Sequence, residues 1–303
     1  LEWQRLNLDK MINLKNLRSK KVGVLGLEKT GLSVIKAVQL AGGILICWDD
    51  DKLKRDNLTV DGVTVRDLND KNIIRELDLL IVSPGVPHLY PEAHPIVTLA
   101  YELNIKVDND IGLFFSNHVQ EEYEAFDDPP KIIAITGSNG KSTATALTNH
   151  VLSKFFSDVE MGGNIGKPVL ELSPLKEGSI RIIELSSYQI ELAKCLAPNL
   201  AAFINFSPDH LQRHGGLGGY FYAKARLFLE NLTDVSVINI DTAEGLFLFQ
   251  RLNTVENKMI AISSKLNIKN YLWAVGLNGS FITEWKKGRQ VYSFDLRNLG
   301  DSF

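Results

Sequence analysis

The chain has 303 residues, of which 45% are hydrophobic and 23% charged, and its formal net charge is −3. These values are typical of a globular protein with room for two domains. The acidic balance gives no sign of nucleic-acid binding. No apolar stretch has a membrane-spanning length, and residues 1–20 lack the apolar core of a signal peptide.

The two cysteines, Cys47 and Cys195, lie far apart and have no metal-ligand spacing. This pattern is typical of a protein kept in a reducing compartment, so we expect cytoplasmic localisation and two core cysteines. We also expect a monomer that binds neither nucleic acid nor membrane.

The first part of the chain alternates apolar stretches with helical ones. Strands are predicted at residues 21–27, 44–48 and 77–82, with a glycine loop and a helix after the first. Such alternation predicts parallel βαβ units and a Rossmann-like domain. The loop keeps Gly26 and Gly31 of the dinucleotide fingerprint but has Glu28 at the middle position, which argues against NAD.

Asp49 follows the second predicted strand, where a carboxylate can accept hydrogen bonds from a ribose or a base. An ordinary turn at the strand end explains it equally well. Further along, two prolines after an acidic stretch at residues 127–130 predict a linker. We therefore predict domains at 1–126 and 127–303, with residues 1–10 non-native because Met11 could be the natural start.

The second α/β series begins with a strand at 131–135, followed by a glycine loop and a helix start. Backbone N–H groups of such a loop, the helix N-terminus and a lysine together bind phosphates, and a serine hydroxyl can complete a Mg²⁺ shell. The predicted phosphate-binding residues are Gly137, Ser138, Asn139, Gly140, Lys141, Ser142 and Thr143.

Two further segments follow strands of the same predicted sheet. Residues 161–166 form a glycine-dense turn around Asn164, which fits either close approach to a ligand or a simple loop. Glu184 ends an apolar strand and is followed by Leu185 and Ser186. It could ligate Mg²⁺ in the crevice at the strand ends, or act only as an acid at a helix entry.

A third strand-end loop carries Asp209 and His210, and Lys224 follows on a helix. We predict that Lys141, Glu184 and His210 meet in one crevice, because parallel strands end at one edge of the sheet. The other histidines, apart from His214, are predicted to be surface or loop residues: His88, His94, His118 and His150. From about residue 260, turns at Asn278-Gly279 and Lys287-Gly288 predict a small antiparallel addition.

Four segments resemble those of the Mur ligase family: residues 136–143, 162–166 and 184–189, and Asp209-His210 with Ala223-Lys224. The resemblance covers nearly the whole chain from about residue 21. It implies an N-terminal Rossmann-like domain for a UDP-linked substrate, a central P-loop α/β domain and a C-terminal domain for the incoming amino acid. That third domain is expected to begin near residue 299, so we expect this chain to be a fragment.

The segments 162–166 and 184–189 are similar to those of family members that add D-glutamate to UDP-N-acetylmuramoyl-L-alanine in peptidoglycan precursor synthesis. The resemblance implies ATP and two Mg²⁺ ions. The substrate carboxylate would attack the γ-phosphorus of ATP, and the amine of D-glutamate would then attack the acyl phosphate. Alternatives are another Mur-type or folylpolyglutamate-type ligase, or a truncated nucleotide-binding product without catalysis.

The resemblance also implies roles for single residues. Lys141 would neutralise the β- and γ-phosphates, Ser142 and Glu184 would hold one Mg²⁺, and His210 with a carbamylated Lys224 would hold the second. Substrate contacts are implied for Lys29, Thr30, Asp49, Asp50, Gly85, Asn164 and Ser186. The sequence departs from the family pattern at Glu28, Gly112 and Gln212.

Overall fold

The computed structural model describes residues 11–121, 123, 125–230, 233–252 and 258–299. The predicted extra residues 1–10 therefore lie outside the described residues. Within these ranges, no helix is long and apolar enough to span a membrane.

The first half of the described chain contains a five-stranded parallel sheet. Its strands are β1 Lys21–Leu25, β2 Ile44–Trp48, β3 Val63–Val65, β4 Leu79–Val82 and β5 Lys106–Asp108. They lie in the order β3-β2-β1-β4-β5, which matches the first five strands of the Rossmann order 3-2-1-4-5-6. The helices are α1 Lys29–Leu40, α2 Lys52–Asp56, α3 Lys71–Ile74, α4 Pro95–Glu102 and α5 Asp110–Gln120.

The second half contains a nine-stranded sheet. Its strands are β6 Lys131–Thr136, β7 Val159–Gly163, β8 Ile180–Glu184, β9 Leu200–Phe203, β10 Val235–Asn239, β11 Lys258–Ser263, β12 Trp273–Asn278, β13 Phe281–Lys286 and β14 Arg289–Asp295. The order is β14-β13-β12-β11-β10-β9-β6-β8-β7. The helices are α6 Lys141–Leu152, α7 Ser187–Leu192, α8 Leu217–Leu229 and α9 Ala243–Leu252.

Only the last two strand pairs of this sheet, β12 with β13 and β13 with β14, are antiparallel. The predicted α/β fold with a small antiparallel addition is therefore confirmed. The central strands are buried on both faces, as parallel strands covered by helices should be: the adjacent residues Ile182 and Ile183 of β8 are buried, as are Val24 and Leu25 of β1. One apolar core includes residues from both halves, among them Ile35 and Leu170.

Three short strands were not predicted from the sequence. β3 has a largely exposed pattern, β5 has only three residues, and β7 ends in two glycines, a residue type that weakens strand propensity. The strand predicted at 77–82 begins at Leu79. Of the cysteines, Cys47 is buried as predicted, whereas Cys195 is only half-buried.

Candidate nucleotide and metal site

The candidate site lies at the carboxyl ends of three adjacent strands. β6 is hydrogen-bonded to β8 on one side and to β9 on the other, and all three are parallel. The loops that follow them carry the glycine loop, Glu184, and the segment from Asn205 to His210. Open parallel sheets bind their ligands at this kind of edge.

Glycines give the loop after β6 its shape. Gly140 precedes α6 with a φ of 71°, in the left-handed region that favours glycine. At Gly137, a Cβ atom would lie 2.5 Å from Ile204 Cγ1, so only glycine fits there without a shift. No side chain caps α6. Its first N–H groups therefore remain available to an anion.

Asn205, which follows β9, fixes the position of this loop. Its Oδ1 accepts hydrogen bonds from Ser138 N at 3.0 Å and Asn139 N at 2.9 Å, and its Nδ2 donates to Asn139 O at 2.8 Å. Ser138 Oγ donates to Ser207 O at 2.8 Å. The sequence analysis did not single out Asn205, although its place directly after a strand was an available signal.

Two lysines reach backbone carbonyls of the same loop. Lys141 Nζ donates to Ser138 O at 3.0 Å, and Lys224 Nζ donates to Gly137 O at 2.8 Å. Lys224 is buried and lies over the ring of Tyr220 at 4.7 Å. Burial, and then the positive charge of Lys141, lower the pKa of Lys224 to about 7. A considerable part of the Lys224 population is therefore a neutral amine near neutral pH.

Glu184 joins two of the loops. Its Oε2 accepts a hydrogen bond from Ser142 Oγ at 2.8 Å, and its Oε1 accepts one from Asn164 Nδ2 at 2.8 Å. The carboxylate is buried. Helix α7 is capped by Ser186, whose side chain forms a capping box with Gln189. Glu184 is therefore not the helix-entry acid of the alternative explanation.

His210 is more exposed than Glu184 and Lys224, the two buried residues of the predicted metal sites. Its side chain is 50% exposed, its Nε2 lies 3.3 Å from Asp209 Oδ2, and its φ is 49°. Its ring contacts Tyr188, with the centroids 5.2 Å apart. Asp209 acts on the pKa of Lys224 as an opposing charge, so the segment that carries His210 lies within electrostatic range of Lys224.

The donor atoms suit a magnesium ion at one of the two predicted positions. Ser142 Oγ and Glu184 Oε2 are hard oxygen atoms beside the phosphate loop, and Mg²⁺ usually takes one or two protein ligands together with substrate phosphates. At the second position, His210 needs a further anionic ligand, because an unmodified lysine ammonium repels a cation. In the described ranges, no group of three or more His, Cys, Asp or Glu side chains could hold a metal ion alone.

The predicted substrate contacts of the first half lie at the strand ends of the first sheet, whereas Asn164 and Ser186 lie beside Glu184 in the second half. Lys29 Nζ donates to Gly166 O across the two halves. Thr30 is half-buried at the start of α1, and Gly85 is exposed with open space around it. Asp50 is exposed, and a hydrogen bond from His94 lowers its pKa below the usual range.

Asp49 is used in a turn, one of the two roles left open above. Its Oδ2 accepts from Leu27 N at 2.8 Å and its Oδ1 accepts from Asp51 N at 2.9 Å. Nearby, Glu28 forms an ion pair with Lys54 at 2.7 Å. Gly112, a second departure from the family pattern, lies against Asp108. A Cβ atom at residue 112 would be 1.8 Å from Asp108 Oδ1. Gln212 is exposed.

The histidine predictions were partly wrong. His88 is buried and lies 3.2 Å from Glu191 Oε2, and burial lowers the pKa of His118 to about 4. Both were expected to be surface or loop residues: His88 does lie in the loop after β4 but is buried, and His118 is a half-buried residue of α5. A single sequence does not reveal such burial, because His88 and Glu191 come from different halves of the chain.

Comparison with known proteins agrees with this geometry. The sequence model of the Mur ligase middle domain matches residues 135–296, more than half of the chain. UDP-N-acetylmuramoylalanine–D-glutamate ligase of Cereibacter sphaeroides (strain ATCC 17025) is 45% identical over 95% of this chain and 63% of its own length. The enzyme of that name from Ruegeria pomeroyi is 44% identical over 95% of this chain and 62% of its own length.

The chain thus spans less than two thirds of the length of these relatives. A solved structure of UDP-N-acetylmuramoyl-L-alanyl-D-glutamate–2,6-diaminopimelate ligase is 18% identical, covers 94% of this chain and 54% of that chain, and has a TM-score of 0.45. A likeness at that level adds nothing to the sequence match. On the match to the middle domain, the chain belongs to the Mur ligase family.

Proposed function

We propose that the whole protein is an ATP-dependent ligase that adds D-glutamate to UDP-N-acetylmuramoyl-L-alanine in peptidoglycan precursor synthesis. The relatives' shared name and the convergence of the phosphate loop with Glu184 support this proposal. We assign residues 1–126 to a domain for the UDP-linked substrate and residues 127–303 to a nucleotide-binding domain. The protein would act as a monomer in the cytoplasm and contribute to cell-wall growth, cell shape and division.

The single observation that carries the proposal is the Ser142–Glu184 hydrogen bond of 2.8 Å beside the glycine loop. It brings two oxygen ligands from different loops to the place where the outer phosphates of ATP would lie. Mg²⁺, when bound, would neutralise charge so that a carboxylate and a triphosphate can meet. Gly137–Gly140 would bind phosphate oxygens through backbone N–H groups, and Lys141 would turn from Ser138 O to the γ-phosphate.

We propose that Lys224 takes part as a carbamate and shares the second Mg²⁺ with His210. Carbamylation adds CO₂ to a neutral amine, which gives up a proton as the N–C bond forms, and the pKa of about 7 supplies such an amine near neutral pH. Burial also protects the modified group from water. The lysine would then present hard anionic oxygens instead of a repelling ammonium.

On the substrate side, Lys29, Thr30, Asp50 and Gly85 would line the uridine nucleotide pocket, and Asn164 and Ser186 would face the sugar and alanine. The Lys29–Gly166 contact supports this arrangement, because it places both groups of residues around one junction. Asp49 would act there mainly by holding the glycine loop between β1 and α1 in place.

The test separates the first half-reaction from ligation. The 303-residue chain is incubated with Mg-ATP, UDP-N-acetylmuramoyl-L-alanine and hydroxylamine, which traps an acyl phosphate as a hydroxamate. We expect hydroxamate and ADP with this substrate and none with UDP-N-acetylglucosamine, and we expect Lys141→Ala to form neither. Failure to bind UDP-N-acetylmuramoyl-L-alanine would overturn the proposal. Rapid D-glutamate-dependent turnover by this chain would contradict the expectation that a further domain is needed.

A further inference from the structure

A half-buried carboxylate, that of Glu191, lies between two imidazoles that come from different halves of the chain. Glu191 Oε1 is 3.0 Å from His214 Nδ1, and Glu191 Oε2 is 3.2 Å from His88 Nε2. His88 belongs to the loop after β4, Glu191 to α7, and His214 to the 3₁₀ helix Leu211–His214. We call these three residues the Glu191 bridge.

The protonation of the bridge follows from its chemistry. Burial would raise the pKa of Glu191, but the hydrogen bond from His214, together with the nearby His88, outweighs burial and lowers the pKa to about 2. A carboxylate only accepts hydrogen bonds, so His214 Nδ1 must carry a proton. His88 Nε2 lies at ion-pair distance from Glu191 Oε2 but without hydrogen-bond geometry. His214 Nε2 in turn lies 2.9 Å from Ser187 Oγ. Both nitrogens of His214 therefore have partners, and its ring has a fixed orientation.

From His214 the contacts continue to His210. The rings of His214 and Tyr188 are stacked, with centroids 5.2 Å apart and planes 10° apart. Tyr188 then contacts the His210 ring at 5.2 Å. Arg213 lies over Tyr188 at 4.7 Å from the ring centroid.

Residues 210–215, which we call the His210 segment, also contact the loop between β4 and α4 that carries Gly85, which we call the Gly85 loop. Arg213 donates to Gly85 O and to Val86 O at 3.4 Å each. Gly215 packs against Tyr90 so closely that a Cβ atom at 215 would be 2.8 Å from the ring. The bridge is therefore the charged part of a junction between the Gly85 loop and the His210 segment.

Ser187, His214 and Glu191 are arranged like a Ser-His-Glu triad, but they cannot reach a substrate. Ser187 is 2% exposed and His214 is 1% exposed. A nucleophile needs access to the atom that it attacks. The arrangement is therefore suited to holding a loop in place and not to nucleophilic catalysis.

We propose that Glu191 is a positioning residue that holds the Gly85 loop and the His210 segment in one arrangement. As a result, binding at the UDP-substrate loop and binding at the phosphate loop would strengthen each other. This coupling rests on the proposed function, whereas the fixed geometry does not.

The geometry is tested on the 303-residue chain with ¹⁵N-labelled histidine by NMR. In the wild type, we expect imidazole N–H signals of His88 and His214 that are protected from solvent exchange. Glu191→Gln can accept from only one imidazole through its single side-chain oxygen, so at least one protected signal should be lost and the His210 signals should shift. Glu102→Gln, an exposed change on α4, is the control and should leave all of them unchanged.

A second variant guards against misfolding of Glu191→Gln. His88→Gln removes the imidazole that the first half of the chain contributes to the bridge, and it leaves the His214–Glu191 hydrogen bond. The His214 signal should therefore persist while the His210 signals still shift. Unchanged His210 signals in both variants would overturn the proposal.

The coupling is tested by calorimetry. In the wild type, a non-hydrolysable ATP analogue with Mg²⁺ should tighten binding of UDP-N-acetylmuramoyl-L-alanine about tenfold. Glu191→Gln should abolish this factor while changing the affinity for either ligand alone by less than about threefold. An intact tenfold factor in Glu191→Gln would overturn the proposal. A wild type that binds neither ligand would instead contradict the proposed function, and the NMR experiment would still decide the role of Glu191.

Discussion

Each half of the molecule begins with a strand, a glycine loop and a helix, yet the two loops have opposite chemical surroundings. In the first, Asp49 accepts the hydrogen bond of Leu27 N, and Glu28 lies beside the loop. In the second, the neutral side chain of Asn205 accepts two backbone N–H groups, and Lys141 and Lys224 both reach the loop. The shared geometry sets the place of a ligand, whereas the neighbouring charges determine which ligand fits.

The contrast extends to the buried charges. Asp108 ends β5 and Asp110 begins α5, and burial raises their pKa values to about 6 and about 7. At the corresponding edge of the second sheet, the buried Glu184 is accompanied by a buried lysine, Lys224. The first edge thus buries two carboxyl groups, whereas the second also holds a basic side chain, as expected if only the second binds a triphosphate closely.

The largest expected effect concerns Asp110. A folded-state pKa of about 7, against about 3.9 in the unfolded chain, stabilises the protein below about pH 4, and this contribution is lost as the pH rises through 7. Asp110→Asn should therefore make the free energy of unfolding less dependent on pH between 4 and 7, by an amount on the order of 4 kcal/mol.

Urea unfolding at pH 4 and pH 8 measures this difference. Asp61→Asn, an exposed change in the same half, is the control and should keep the wild-type dependence. An equal dependence in Asp110→Asn would show that Asp110 is ionised in the folded protein throughout this range.

The second prediction is that the two loops bind different ligands. Lys141→Ala should weaken ATP binding about 100-fold, because a charge-assisted contact to the phosphates is lost. It should leave the affinity for UDP-N-acetylmuramoyl-L-alanine nearly unchanged. Lys29→Ala should show the reverse selectivity, with a loss of about tenfold for the UDP-linked substrate. Calorimetry measures the affinity of both variants for both ligands. If each variant lost affinity for both ligands equally, the two loops would not be separate ligand sites.

The third prediction concerns the structural use of Asp49. Asp49→Ala removes the acceptor of Leu27 N and Asp51 N, so the free energy of unfolding should fall by roughly 1–3 kcal/mol. Asp61→Ala, an exposed change in the same half, is the control for urea unfolding. An effect of Asp49→Ala no larger than that of Asp61→Ala would show that Asp49 does not support the loop.

The smallest expected effect is that of Glu28→Gly. Its side chain is 74% exposed and points to Lys54. Exposed ion pairs contribute little, so the affinity for UDP-N-acetylmuramoyl-L-alanine should change by less than about threefold. A tenfold tighter affinity in the variant would mean that the Glu28 carboxylate does repel the pyrophosphate, as the sequence pattern suggested.

Local patterns were enough to predict the phosphate loop and the strand-end position of Glu184. Gly137, Gly140 and Lys141 are adjacent in sequence, and the parallel sheet orders the strand ends by geometry alone. The Glu191 bridge and the role of Asn205 could not be predicted in this way. They depend on pairs such as His88 with Glu191, whose spacing carries no local signal because only tertiary packing brings them together.

The most direct test of the central claim, that Ser142 and Glu184 form a magnesium-dependent nucleotide site with the glycine loop, is the affinity for ADP with and without Mg²⁺. Calorimetry should show that Mg²⁺ tightens ADP binding to the wild type and that this gain disappears in Glu184→Gln. Asp61→Asn should keep the gain. A wild type insensitive to Mg²⁺, or a Glu184→Gln variant with the full gain, would contradict the account.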